Sequence, residues 1–442
     1  MQNALEELCN RLRATPKSRA IGRVISAGGS SLKIAGLTGM AALGDQIKLP
    51  SIGCCGEVID IAGDAITAVA EGDFSGLRLD DSVQLAGPMM IYPDTSWIGR
   101  IIDASGKALD GKPLRKGSVG QKLRARPPEA ATRRPLGARL SSGLAAFDTV
   151  LPIVRGQRVG LFSGSGVGKS TLLGQLAGGV ESEICVVALI GERGRELRAF
   201  VEETLGHEKM ARTIVVAATS DMSPILRRRA LWTAMTIAEY FRDQNRQVLF
   251  LADSVTRFAE AHREIALAAG EPASLRGFPP STAHLIMSLA ERSGPGAQGQ
   301  DGDITAIFTV LVAGSDMEEP IADILRGVLD GHVVLDRAIA ERGRFPAIDL
   351  LRSVSRSLPN AASHAENDLI ALARRRLGAY DRAELMIQSG LYAAGSDPEI
   401  DAAIKVWSAL DGFLGSASDN GPEQAFEMLS RVLRVPPPSM SR

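Results

Sequence analysis

Arg158-Val-Gly-Leu-Phe162 runs straight into Ser163-Gly-Ser-Gly-Val-Gly168-Lys169-Ser170-Thr171, and Leu172-Leu-Gly-Gln-Leu176 follows at once. A short apolar strand thus enters a glycine-rich turn that opens an apolar-periodic helix, the order of parts a triphosphate needs. Gly164, Gly166 and Gly168 carry no Cβ, so the backbone can curl and aim several N–H groups inward. The helix adds its unpaired N-terminal donors and partial positive charge. Lys169 is placed to reach the β- and γ-phosphates as a point charge, and the Ser170 hydroxyl to ligate Mg²⁺. The strict phosphate-loop pattern asks for glycine six residues before the lysine, where this chain has Ser163. Ser163, Gly164, Ser165, Gly166, Val167, Gly168, Lys169, Ser170 and Thr171 are therefore the candidate nucleotide-binding residues.

The bulk of the chain sets limits around that loop. At 442 residues it is too long for one core, so two or three domains are expected. A hydrophobic content of 45% and a formal charge of −1 fit a soluble globular protein with no global pull toward nucleic acid or anionic lipid. Four cysteines, two of them the adjacent Cys54 and Cys55, make neither a metal spacing nor a disulfide framework, which points to a reducing cytoplasm. No apolar run reaches the roughly 18 to 20 residues of a membrane helix, so any membrane attachment is expected to be peripheral.

Leu5, Leu8 and Leu12 share one face of a short amphipathic helix over residues 2–13, either docked on its own domain or free to bind a partner. From Ser18 to Gly87 short β-branched runs alternate with turns: Gly22–Ser26, Leu32–Ile34, Gln46–Leu49, Gly56–Ile61 and Ala65–Val69 read as strands of a small closed barrel. Phe74 is the only aromatic in that stretch, so stacking platforms for a nucleic acid are missing. Tyr92 to Leu140 reads as a Gly- and Pro-rich linker containing the strand Gly99–Asp103 and a tight turn. Beyond Gly143 strands and helices alternate, the pattern of a parallel sheet with crossover helices. Val159–Phe162, Ile184–Ile190, Thr213–Ala218, Val248–Ala252, Thr305–Val312 and His332–Leu335 are its expected strands. After Pro359, helices are expected at Ala361–Arg376, Asp381–Ser389, Pro398–Phe413 and Pro422–Arg434.

Two further features suit hydrolysis. Asp253 ends an apolar strand, where a carboxylate can hold Mg²⁺ or its waters at the carboxyl edge of the sheet. Gly191-Glu192-Arg193-Gly194-Arg195-Glu196 leaves another strand at the same edge, where a carboxylate can polarise water and arginine can neutralise phosphate. Alone, such a charged turn is more often a solvated face; beside a phosphate loop it becomes a candidate.

Taken in order, the phosphate loop, Gly191–Glu196, Leu251-Ala-Asp253-Ser-Val-Thr-Arg257-Phe, Phe345-Pro-Ala-Ile-Asp349 and Ser353-Val-Ser-Arg356 resemble the rotary ATPase family, the catalytic subunits of ATP synthases and their secretion relatives. The likeness spans roughly residues 18–410 and is nearest to the flagellar protein-export ATPases. Phe162–Ser170, Arg257–Glu271, Pro320-Ile-Ala-Asp323, Asp330-Gly-His332 and Gly395-Ser-Asp-Pro398 carry it. In those relatives alanine often stands at the Ser163 position, so the departure noted above is a family trait. The resemblance implies an α/β fold: a small N-terminal β-barrel, a central P-loop RecA-like domain with a mostly parallel sheet, and a C-terminal helical domain. The expected bounds are 1–17 for the partner-binding helix, 18–88 for the barrel, 89–360 for the ATPase domain, 361–435 for the helices and 436–442 for a tail.

Residue by residue, the resemblance makes Glu192 the group that activates water, Arg193 and Arg257 neighbours of the γ-phosphate, and Ser170, Asp253 and Glu196 the magnesium shell. Phe345 would stack on adenine, with Tyr392 closing that pocket. Glu192 and Arg356 occur together here, whereas ATP synthases divide them between two kinds of subunit. The resemblance therefore implies a homo-oligomeric ring, a hexamer, in which Arg356 serves the neighbour's site in trans. It further implies ATP and Mg²⁺ as cofactors, a stator-like regulator at the N-terminal helix and a coiled-coil central stalk protein. Export cargo with chaperones and a membrane export gate are also implied, at the cytoplasmic face of the inner membrane, with no nucleic acid partner. The competing readings are the ATPase of a virulence-type secretion system, a non-catalytic nucleotide-binding ring subunit, and a nucleic-acid translocase.

Overall fold

The computed structural model describes residues 19–29, 31–312 and 317–437; the expected helix over residues 2–13 lies outside them. The chain forms two compact units. The first comprises Met1–Met90 with Met222–Leu226 and Ala261–Pro279, and the second Ile91–Asp221, Arg227–Glu260 and Pro280–Arg442.

In the first unit, β1 (Ile21–Gly28), β2 (Ser31–Ala35), β3 (Asp45–Leu49), β4 (Cys54–Ala62), β5 (Ala65–Ala70) and β6 (Ser82–Pro88) close into a barrel in the order β1-β2-β5-β4-β3-β6. Closure removes both sheet edges, and the strand period of two turns alternate side chains inward. Val24, Leu32, Ile34, Ile47, Leu49, Val58, Ile66 and Val83 fill the interior.

The second unit holds the phosphate loop. Its short β7 (Met90–Ile91) and β9 (Gln121–Lys122) pair with each other. The main sheet is built from β8 (Ile101–Asp103), β10 (Arg158–Ser163), β11 (Ile184–Glu192), β12 (Thr213–Thr219), β13 (Gln247–Asp253), β15 (Asp303–Leu311), β16 (Gly331–Leu335) and β17 (Ile348–Ser355), with β14 (Gly294–Pro295) appended to β15. The order is β17-β16-β10-β15-β13-β11-β12-β8. β8 to β16 run parallel along this path; β17 and β14 are antiparallel. Near-continuous burial of β10, β11, β13 and β15 is what strands covered on both faces require.

The strand expected at Gly99–Asp103 is present as Ile101–Asp103, the parallel edge strand beside β12, with Val216 level with Ile102. One expectation is corrected. The helices expected at Ala361–Arg376 and Asp381–Ser389 are one helix, His364–Gln388. Gly378 does not break it, because Ala379 and Ala383 continue its buried face. A capping box between Ser363 and Glu366 starts this helix, and Asp397 caps Pro398–Leu414. These helices and Gly421–Leu433 bury Leu369, Ile370, Leu410, Phe413, Phe426 and Leu429 in the same core as Leu172, Leu173 and Leu176 behind the phosphate loop. No helix among the described residues is long and apolar enough to cross a membrane.

Candidate active site

The parallel register brings the candidate residues to one edge of the sheet. Ser163 ends β10, Glu192 ends β11 and Asp253 ends β13, with Leu189 level with Asp253 and Ala252 level with Phe308. Loops leaving the carboxyl ends of such strands form the ligand crevice of an open α/β sheet.

The phosphate loop follows directly. Val167 is buried and anchors it, while Ser165 and Gly166 are exposed. Gly166 and Gly168 take φ of +78° and +84°, a region open to glycine but strained for a side chain. Gly168 caps the helix Lys169–Gly179, so Ser170 and Thr171 stand exposed in its first turn. The Ser163 hydroxyl is buried and has no hydrogen-bond partner among the described residues, as expected of a group that a bound ligand completes.

Behind the loop lies a charge cluster. Lys169 Nζ is in direct contact with Asp253 Oδ1 and lies 3.8 Å from Glu192 Oε1. Thr309 Oγ1 donates to the same Asp253 oxygen at 2.8 Å. Burial pushes Glu192 up to about 7, against the pull of Lys169 and with the push of Asp253. Glu196 is hydrogen-bonded to Glu192 and moves the other way, that bond being the main cause. Glu192 thus holds the proton longest, and a carboxylate that is hard to ionise is a strong acceptor once it has ionised.

The arginines are held more loosely. Arg193 is exposed and pairs with Glu196 at 3.3 Å. Arg257 pairs with Glu260 at 2.8 Å, which is the chief reason its pKa is raised. Its stem lies over Gly191, where a Cβ would sit 3.1 Å from Arg257 Cγ, a tight approach that the glycine relieves.

Phe345 is half exposed, and a Cβ on Gly168 would come within 3.1 Å of its Cδ1. Its ring therefore stands against the end of the phosphate loop rather than in the core. Tyr392 is differently engaged: its hydroxyl lies 3.0 Å from both the Asp397 carbonyl and Asp401 Oδ1, which share its one hydrogen, and it accepts from the Asp397 N–H at 3.3 Å. Only its ring remains to offer an adenine.

Arg356 is set apart from this cluster. β17 runs antiparallel to β16, with Gly331 opposite Ser355 and Leu335 opposite Ile348. β16 is parallel to β10, with Leu335 level with Ser163. Arg356 consequently emerges at the far end of the sheet, about 13 Å along the strand from the level at which the phosphate loop begins. Its guanidinium donates to the carbonyls of Leu329 (3.0 Å) and Arg326 (3.1 Å). The sequence did not signal Thr309: a threonine in an apolar strand reads as strand, and only the register shows it facing Asp253.

A phosphate loop at the carboxyl edge of a RecA-like parallel sheet, with a second strand-end carboxylate beside its lysine, defines a P-loop nucleoside triphosphatase. Residues 143–355 match the nucleotide-binding domain of the ATP synthase alpha/beta family, and residues 362–426 the C-terminal domain of the T3SS EscN ATPase. The flagellum-specific ATP synthase of Caulobacter vibrioides is 42% identical over 424 residues, covering 93% of this chain and 96% of that one. The SPI-2 type 3 secretion system ATPase of Salmonella typhimurium is 46% identical over 338 residues, covering 76% and 77%. The assembled ATPase EscN of enteropathogenic E. coli superposes with a TM-score of 0.86 at 36% identity, covering 93% of this chain and all of that one. The chain belongs to the type III secretion and flagellum-specific branch of the ATP synthase alpha/beta family, and it is an ATPase.

Proposed function

We propose that this chain hydrolyses ATP with Mg²⁺ in a homo-oligomeric ring, a hexamer, that energises flagellar protein export. The observation that carries the ring is the separation of Glu192 and Arg356 to opposite ends of one sheet. Each chain holds a phosphate loop with a base and, far from it, an arginine with no phosphate of its own. A neighbour presenting Arg356 would complete the site, and the structure of the assembled ATPase EscN supports an oligomer. An arginine supplied in this way is worth about 10³ to 10⁵ in rate.

In this reading the phosphate loop and Lys169 hold the triphosphate, Glu192 accepts the proton of the attacking water, and Arg193 and Arg257 balance charge on the γ-phosphate. Among the described residues no group of three or more His, Cys, Asp or Glu is arranged to hold a metal. Ser170, Asp253 and Glu196 instead supply a few hard oxygen donors, which suits Mg²⁺ arriving with the phosphates. Bound there, Mg²⁺ would neutralise phosphate charge. Phe345 would stack on adenine, with the Tyr392 ring nearby.

The partners follow the relatives. EscN has been seen in complex with its central stalk EscO, and a coiled-coil stalk is proposed here too. A stator-like regulator at residues 1–17, chaperoned cargo and a membrane export gate complete the set, with the protein at the cytoplasmic face of the inner membrane. The roles divide as barrel 18–88, ATPase domain 89–360 and helical domain 361–435.

The flagellar reading is supported by the extent of the Caulobacter match; the 46% identity to the SPI-2 ATPase favours the virulence-type alternative. Deleting the gene in its host separates them: loss of motility and filaments supports flagellar export, and intact flagella with lost effector secretion overturns it. The ring is tested by dilution. ATPase activity per chain should rise with protein concentration, and Arg356→Ala should flatten the rise. Equal activity per chain at all dilutions would sink the shared site.

A further inference from the structure

The helix that starts at Lys169 carries two glycines on one face, Gly174 and Gly178, four residues apart. A glycine inside a helix is destabilising relative to alanine, so a steric reason is expected. A Cβ on Gly174 would lie 2.1 Å from Thr204 Cγ2 and 3.3 Å from the Thr204 carbonyl oxygen. One on Gly178 would lie 2.8 Å from Lys209 Cε, and Lys209 Nζ donates to that same Thr204 carbonyl at 3.1 Å. Both glycines therefore belong to one seam, and the Gly174 contact is its tightest point.

Thr204 sits in the π-helical turn Phe200–Leu205, which continues the helix Gly194–Ala199 capped by Arg193. π-helical turns occur disproportionately at functional sites. A continuous helical rod thus runs from just after Glu192 to the groove at Gly174. The phosphate-binding helix faces this segment at both ends: Lys169 Nζ lies 3.8 Å from Glu192 at one, and Gly174 is pressed on Thr204 at the other.

We infer that the Gly174–Thr204 contact sets the spacing between Glu192 and the phosphate loop, which makes both of them positioning residues for hydrolysis. The inference rests on Glu192 acting on the attacking water. A methyl added at 174 overlaps Thr204 Cγ2 and crowds the Thr204 carbonyl, which pushes the rod outward, and a displacement of about an ångström at a reacting centre costs on the order of 10²-fold in rate. Lys169 and the loop ride on the helix that keeps its place, so nucleotide affinity is preserved.

The test is a double-mutant cycle, with kcat measured at protein concentrations where activity per chain has reached its plateau and MgADP affinity measured by calorimetry. Gly174→Ala should lower kcat about 10- to 100-fold and change MgADP affinity by less than about threefold. Thr204→Ala should leave the contact slack and lower kcat several-fold. The double variant moves the methyl from one side of the contact to the other and should recover most of the loss. Wild-type kcat in Gly174→Ala, weakened MgADP binding equal to the loss of rate, or no recovery in the double variant would each overturn the inference. Should Gly174→Ala fail to fold, Thr204→Ala decides: unchanged kcat overturns it. Glu192→Gln run alongside separates the two ideas, since full activity there would remove the reading of Glu192 instead.

Discussion

Glu192 meets two opposing demands. In its proposed role it must be ionised to accept a proton, yet burial holds its pKa near 7 even with Lys169 close by. In the free enzyme kcat/KM should therefore fall with one proton as pH drops below about 7, and a profile flat down to about pH 5.5 would contradict the role. The same shift acts on stability. A carboxylate whose folded pKa is raised binds its proton more tightly when folded, so stability falls as pH climbs from the ordinary value of 4.5 to about 7, and stays lower above. Glu192→Gln removes that ionisation penalty. Hydrolysis should drop about 10²- to 10⁴-fold, while stability near pH 8 rises by on the order of 2 kcal/mol, a gain that vanishes toward pH 4.5. Paired rate and melting measurements across pH check both arms. Glu192 and Asp253 are legible in the sequence because each is a carboxylate that ends an apolar run. Thr309 is not, because its meaning lies in the register of β15 against β13.

At the scale of elements, helical glycines show what a sequence pattern leaves open. Gly174 and Gly378 both lie inside helices and look alike as letters. Around Gly378 a Cβ would meet only Arg382 Nη1 at 3.8 Å and Leu351 Cδ2 at 4.0 Å, ordinary contacts. Gly378→Ala should therefore stabilise the helix His364–Gln388 by about 0.5–1 kcal/mol, seen as a higher melting temperature with hydrolysis unchanged. A lower melting temperature would mean that the joint at Gly378 needs the glycine. Ala at 174 meets a wall, and Ala at 378 meets space. The expected break near Gly378 fails because propensity is local, whereas a buried face is supplied by distant residues. The strand-to-loop-to-helix order at Arg158–Leu176 is legible because all of its determinants lie within one short stretch.

At the scale of the whole molecule, the proposed ring would make each chain a donor to two different sites. Glu192 stands at one end of the strands and Arg356 at the other, its guanidinium resting on the Arg326 and Leu329 carbonyls. A ring built from such chains has a property that no self-contained enzyme shares: two dead variants can repair each other. Glu192→Gln chains keep Arg356, and Arg356→Ala chains keep Glu192. Wherever an Arg356→Ala chain receives its arginine from a Glu192→Gln neighbour, the site is whole. Random mixing in equal amounts should make about a quarter of the sites complete and restore hydrolysis far above that of either variant alone. The recovery should grow with protein concentration and disappear on dilution, because it exists only at the contact between chains. Light scattering on the same mixtures shows whether rings have formed. Mixed rings that assemble and stay inactive would show that Arg356 serves its own chain or none.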